Sequence, residues 1–144
     1  ADLELQSGIP LKAAALYEAY LKVKPQKDVL YHLAMAYRQM GRLEEALAAI
    51  NDFGPEGDAA DIMLIKGELH YYLKQFDQAA STYKRAAQIQ GHHVGRAWLM
   101  AGYAAWQMND LAASKRAFTE AAKDGQQRKA AHAALKQLAQ LTVK

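Results

Sequence analysis

The sequence predicts an all-α solenoid: a stack of antiparallel helix pairs closed by one C-terminal capping helix. Three observations predict it. The 144 residues are 51% hydrophobic with only three prolines, and alanine, leucine, lysine and glutamine dominate, which is the composition of a helical protein with a real core. A turn residue stands two positions before Pro10, Leu43, Phe76 and Leu111. These turn residues are Gly8, Gly41, Lys74 and Asn109, at intervals of 33, 33 and 35 residues. After each turn comes a small residue and, four further on, a bulky one: Ala13 and Tyr17, Ala46 and Ile50, Ala79 and Tyr83, Ser114 and Phe118. A period of this size signals supersecondary units that must stack to bury their apolar faces.

The units fall at about 1–26, 27–58, 60–93 and 95–125, all within one repeat domain spanning 1–144. Ala1 lies seven residues before Gly8, so the first unit lacks most of its first helix, and we expect this chain to be a segment of a longer repeat protein. Its second helix carries Ala13 and Tyr17 and ends at Pro25, which cannot continue a helix. In the second unit, Leu30, Leu33, Ala34 and Tyr37 recur at helical spacing. Gly41 then suits a left-handed turn that satisfies the helix's last carbonyls. The second helix follows in "GRLEEALAAI". Asn51, Gly54 and Pro55 stop it, so it is expected to be short, and Asp58 is the expected N-cap of the next helix. In the third unit Met63, Gly67 and His70 mark the packing face, and His70 occupies a slot suited to an aromatic. Lys74 is a poor left-handed residue, so a strained or differently closed turn is expected there. The fourth unit packs through Trp98, Ala101, Gly102 and Ala105 and turns at Asn109, the second-best residue for the job. Residues 126–141 form the capping helix, with Ala131, Ala134, Leu135 and Leu138 inward and Lys129, His132, Lys136 and Gln140 outward.

These residues resemble the tetratricopeptide repeat, whose pattern W-x2-L-G-x2-Y, A-x3-F, A, P repeats with a period of about 34 residues. Trp98 and Gly102 match its opening in the fourth unit, and Leu33 and Tyr37 match in the second. Ala13, Tyr17 and Pro25 match its close in the first, and Ala79, Tyr83 and Ala86 in the third. Lys66, Lys74 and Ser114 depart from it, at the usual leucine, glycine and alanine. The resemblance spans about residues 2–124 and implies a right-handed superhelix of about three and a half repeats.

Composition and motifs exclude several function classes. There is no cysteine, hence no disulfide and no thiolate metal site, and the redox compartment stays open. No apolar run approaches the roughly 18 residues of a membrane span. "DFG" at 52–54 lacks the other kinase motifs and reads as a helix end. His92 and His93 are adjacent in a glycine-flanked loop, where two neighbours rarely face one ion, and no third ligand is near. Glu44 and Glu45 lie on a helix surface. No catalytic, metal, cofactor or small-molecule site is therefore expected.

The net charge of +3 is concentrated in residues 111–144. With a pI near 9.1 and eight tyrosines, it offers nucleic-acid binding through the basic C-terminal helices as a weaker reading. The stronger signal is a second stripe on the first helices, spaced four then three residues apart and distinct from the packing slots. It reads Tyr31, Met35 and Arg38 in the second unit. In the third it reads Leu64, Glu68 and Tyr71 with Tyr72 beside it, and in the fourth Leu99, Tyr103 and Trp106. The resemblance implies that these positions line a concave groove holding a partner segment. Tyr, Trp, Met and Arg are the residues that dominate interface energetics. The slots where some relatives clamp a carboxylate with lysine and asparagine hold Tyr31, Met35, Leu64 and Glu68 here, which argues against that mode. The competing reading is that adjacent repeats or the capping helix cover part of the stripe.

The expected function is a non-catalytic scaffold binding another protein or peptide segment in that groove. By analogy with such repeats the setting is a bacterial envelope assembly, such as exopolysaccharide export or pilus biogenesis, with the periplasm slightly favoured over the cytoplasm. A structural spacer or self-association module, docking through residues 1–25, is the alternative.

Overall fold

The computed structural model describes residues 9–23, 26–54 and 59–142. Among them the chain forms eight helices and no strand: α1 (Ile9–Val23), α2 (Lys27–Gln39), α3 (Leu43–Phe53), α4 (Ala60–Tyr72), α5 (Phe76–Ala87), α6 (Val94–Gln107), α7 (Leu111–Ala121) and α8 (Arg128–Thr142). This is the all-α class that the repeat period predicts. The chain divides into two compact units, 1–69 and 70–144.

Three of the four predicted turns lie within the described residues, and all three close in one way. Gly41, Lys74 and Asn109 have φ of 74°, 61° and 59°. In each, the next residue's N–H reaches back five positions: Arg42 to the Tyr37 carbonyl at 2.9 Å, Gln75 to His70 at 2.8 Å, Asp110 to Ala105 at 2.9 Å. This is the paired closure of a left-handed helix end. Lys74 is therefore strained, as its side chain predicts, but it is not closed differently. A second bond supports it: His70 Nδ1 donates to Gln75 Oε1 at 2.7 Å, bridging the same two residues as the backbone bond. A left-handed residue with a Cβ is disfavoured by about 1–2 kcal/mol, and the His70–Gln75 bridge offsets part of that.

In the first unit, α2 buries Leu30, Leu33, Ala34, Ala36 and Tyr37, and α3 buries Ala46, Leu47 and Ile50. In α1 Ala14 is buried and Ala13 half-buried; the positions equivalent to Ala14, Leu47 and Ala80, are buried in the next two repeats as well. Tyr17 stacks on His32 with ring centroids 5.9 Å apart, and the Tyr37 hydroxyl donates to the Glu18 carboxylate. Burial, followed by that bond and the Glu18 charge, pushes the Tyr37 pKa up to about 12. The second helix of the second repeat is, as expected, among the shortest of the described helices. At 11 residues α3 equals α7, and Gly54 ends it at φ 85°, which is the structural role of "DFG". Gly8, Pro25, Pro55 and Asp58 lie outside the described residues.

In the second unit, small residues bring helices into close contact. A Cβ on Gly102 would lie 2.6 Å from the Phe118 ring, so α6 and α7 approach at a distance only glycine permits. Ser114, at the usual alanine, is fully buried and donates its hydroxyl to the Gly102 carbonyl at 2.8 Å. Ala79, Ala86, Ala97, Ala101 and Ala104 are likewise fully buried. Asp110 caps α7 through its carboxylate, which accepts from the Ala113 N–H at 3.1 Å. The last helix starts at Arg128, two residues later than expected. Ala131, Ala134 and Leu138 face inward as the amphipathic pattern predicts, while Leu135 is half-buried and Lys129, His132, Lys136 and Gln140 are exposed.

Candidate functional site

The stripe residues share one register. Arg38, Tyr71 and Trp106 stand three residues before the left-handed residues Gly41, Lys74 and Asn109; Met35, Glu68 and Tyr103 stand six before, and Tyr31, Leu64 and Leu99 ten before. A helix turned the same way at its end presents these positions on the same face, so the turns fix the stripe's orientation on each first helix. What covers each position is a separate matter.

In the first unit the stripe is open at its edge. Tyr31, Met35, Leu64 and Glu68 are half-buried. Arg38 Nη1 meets Glu68 Oε2 at 2.5 Å, with the two side chains 32% and 27% exposed. This charge-assisted bond ties the stripe of α2 to that of α4. A pair so exposed contributes only about 0–1 kcal/mol to stability, so its effect is to fix position. Tyr31 lies edge-on to His32, with ring centroids 5.6 Å apart.

In the second unit the stripe divides. Tyr71 is half-buried, edge-on to Phe76 at 5.1 Å and to Tyr72 at 6.4 Å. Its hydroxyl accepts from Gln107 Nε2 at 3.3 Å. Tyr72 is 60% exposed. Leu99 is a correction to the groove expected from sequence: it is only 8% exposed and clusters with Phe118, Ala121, Ala131, Ala134 and Leu138. Three of those residues belong to α8, so the capping helix takes the place of a further repeat and draws Leu99 into the core. Tyr103 and Trp106 pack edge-on against Phe118, with centroids 5.1 and 6.2 Å away, and remain half-buried. They present an edge rather than a whole face.

The remaining candidates have structural roles. His70 is buried and bonded to Gln75. His93 Nε2 donates to the Ala86 carbonyl at 2.8 Å, fastening the loop to the end of α5. Among the described residues, no group of three or more His, Asp or Glu side chains is placed to hold a metal ion.

One arrangement escaped the sequence reading. A cleft of about 510 Å³ is lined by Lys84 of α5, Trp98 of α6, and Lys115, Arg116, Thr119 and Glu120 of α7. Lys84, Lys115 and Arg116 are exposed, and Trp98, which lines the same cleft, is half-buried. The signal available in the sequence was Lys84 of α5 and the Lys-Arg pair at 115–116 of α7, which the helix packing brings to one cleft. Trp98 was accounted for as a packing residue alone.

Comparison with known proteins agrees with the repeat period. Two tetratricopeptide repeat profiles match, one over residues 1–54 and the other over 60–93 and 95–123. Among solved structures, a crystal structure of MamA is similar over 98% of this chain and 83% of its own, with TM-score 0.83 and 17% identity. MamA from Desulfovibrio magneticus RS-1, residues 41 to the end, is similar over 95% and 78%, with TM-score 0.76 and 18% identity. A thermophilic TPR protein of Thermus thermophilus is similar over 94% and 75%, with TM-score 0.65 and 17% identity. At these identities the likeness speaks to the fold. Among curated proteins, none matches the sequence significantly.

Proposed function

We propose, from the premise that the chain belongs to the tetratricopeptide repeat family, that it holds a segment of a partner protein against the stripe of its first helices. The family's fold is generally a non-catalytic interaction scaffold. The finer reading rests on one observation: side chains of interface type sit at one register on α2, α4 and α6, and several stay accessible. Met35, Tyr31 and Leu64 offer apolar surface, Arg38 and Glu68 offer a fixed charge pair, and Tyr72 is the most exposed aromatic. Tyrosine and methionine supply contact area, and an arginine held in place by a carboxylate fixes register. The partner surface this suits is an extended or helical segment with apolar anchors and a few polar groups between them.

The setting we infer is a bacterial envelope assembly of the exopolysaccharide-export or pilus type. It is supported by cysteine-free, alanine- and glutamine-rich repeats and by the bacterial sources of similar structures.

The test follows from which side chains are free of the core. Tyr103 and Trp106 are packed on Phe118, so removing them confounds binding with stability. A Met35→Glu/Tyr72→Glu variant changes accessible stripe positions in both units. With its helical circular dichroism and melting midpoint near those of the parent, it should lose a partner that the parent retains from the native host. Retention of every partner at parental yield would show the stripe assignment to be wrong.

A further inference from the structure

Charge is divided sharply between the two compact units. Residues 1–69 carry 11 Asp and Glu against 7 Lys and Arg, a net charge of −4, while residues 70–144 carry 4 against 11, a net of +7. The overall +3 conceals this. A molecule with one acidic and one basic half attracts its own copies, and local surfaces decide whether they dock.

Each half has a suitable surface, away from the first-helix stripe. In the acidic half it is the outer face of α3. Glu44, Ala48, Asn51 and Asp52 are all exposed and lie on one helical face, and α3 contains no lysine or arginine. Glu45 beside them is engaged by Arg42 at 3.7 Å, whereas Glu44 and Asp52 stand about 12 Å apart along the helix. Ala48 between them keeps the centre of the face low. In the basic half it is the cleft of Lys84, Trp98, Lys115 and Arg116. Its carboxylate, Glu120, is paired with Lys123 at 2.9 Å, which leaves the three exposed cations to dominate the rim.

We propose that the outer face of α3 of one copy docks into the Trp98 cleft of a second copy. Glu44 and Asp52 meet the Lys84, Lys115 and Arg116 cations, and Ala48 lies over the indole. The occupant is argued from the charge carried by the chain itself: the acidic helix face that fits this basic cleft is present at equal concentration in every copy. The contact uses different residues from the partner-binding stripe, with α6 shared only through Trp98, so either reading can fail without the other.

Sedimentation velocity of the full chain tests it at about 0.02 M and about 0.5 M salt, where the screening length falls from roughly 20 Å to about 4 Å. The parent should show concentration-dependent association at low salt and a monomer at high salt. Lys84→Glu/Lys115→Glu/Arg116→Glu and Glu44→Lys/Asp52→Lys alter exposed side chains only. Each alone should sediment as a monomer at low salt with unchanged helical circular dichroism. Mixed in equal amounts, the two should associate again, because the acidic face of the first meets the intact cleft of the second. A parent that stays monomeric at low salt overturns the proposal. So does association that survives either variant, or a mixture that fails to associate. A monomeric parent whose second unit instead binds a single-stranded oligonucleotide, with loss in the triple variant, reassigns the cleft to nucleic acid.

Discussion

The stripe on α2 and the stripe on α6 begin from the same register and end differently. Tyr31, Met35 and Arg38 keep accessible surface, and Arg38 is held by its ion pair with Glu68. Leu99, Tyr103 and Trp106 are drawn against Phe118, with α8 laid over Leu99. Spacing from a turn decides which way a side chain faces; whether anything covers it is decided by an element that follows 29 residues after Leu99. The same register therefore leaves side chains accessible in one place and draws them into the core in the other.

The largest expected effect separates these roles directly. Leu99→Ala empties a site walled by Phe118, Ala131 and Leu138 and should destabilise the chain by about 2–4 kcal/mol, whereas Met35→Ala, at a half-exposed position, should stay below about 1 kcal/mol. Chemical denaturation midpoints check both. Equal losses at the two positions would break the comparison. Next comes the close helix approach specific to the second unit. Gly102→Ala places a methyl group against the fully buried Phe118 ring and should cost about 1–3 kcal/mol by overpacking, read from the same midpoints. A third, smaller effect has the opposite sign. Lys74→Gly relieves a left-handed side-chain-bearing residue and should stabilise by roughly 0.5–1 kcal/mol, less than the full strain because glycine also loosens the unfolded chain. Thermal melts should show the midpoint rising for this variant, and a fall would mean that the His70–Gln75 bridge has already removed the strain.

The last difference is silent at neutral pH. The first unit joins α1 to α2 through the Tyr37 hydroxyl and Glu18. The folded state holds the Tyr37 proton up to about pH 12, against 10.0 for the ordinary side chain. Above about pH 10 the unfolded chain releases that proton first, so stability is fully present below about pH 10 and declines as pH rises toward about 12. Tyr37→Phe should flatten that part of the stability–pH profile, as measured by urea midpoints between about pH 9 and about pH 12.

Much of the fold was legible because repeats encode it redundantly. Ala46, Ala79 and Ser114 were identified as contact points from spacing alone, and all are fully buried; Ile50, Tyr83 and Phe118 fill beside them. Gly41 and Asn109 announce left-handed turns by residue type. Lys74 does not, and its closure follows instead from the helices it joins and from a His70–Gln75 bond that no propensity reveals. The start of the last helix at Arg128 rather than at position 126 escaped for a similar reason: averaged periods do not resolve single residues. The site was legible only as a list of faces. Its accessible part, Tyr31, Met35, Arg38, Leu64, Glu68, Tyr71 and Tyr72 with the edges of Tyr103 and Trp106, separated from buried Leu99 once α8 was in place. The basic cleft required α5, α6 and α7 to meet, and no single segment carries it.

Site-specific photo-crosslinking in the native host tests the central claim most directly. A photoreactive phenylalanine analogue is placed at Met35, at Tyr72 and, as an exposed control on α8, at His132. The account predicts crosslinks to the same partner protein from Met35 and Tyr72 and none from His132. No crosslink from either stripe position, or equal yield from His132, would contradict it.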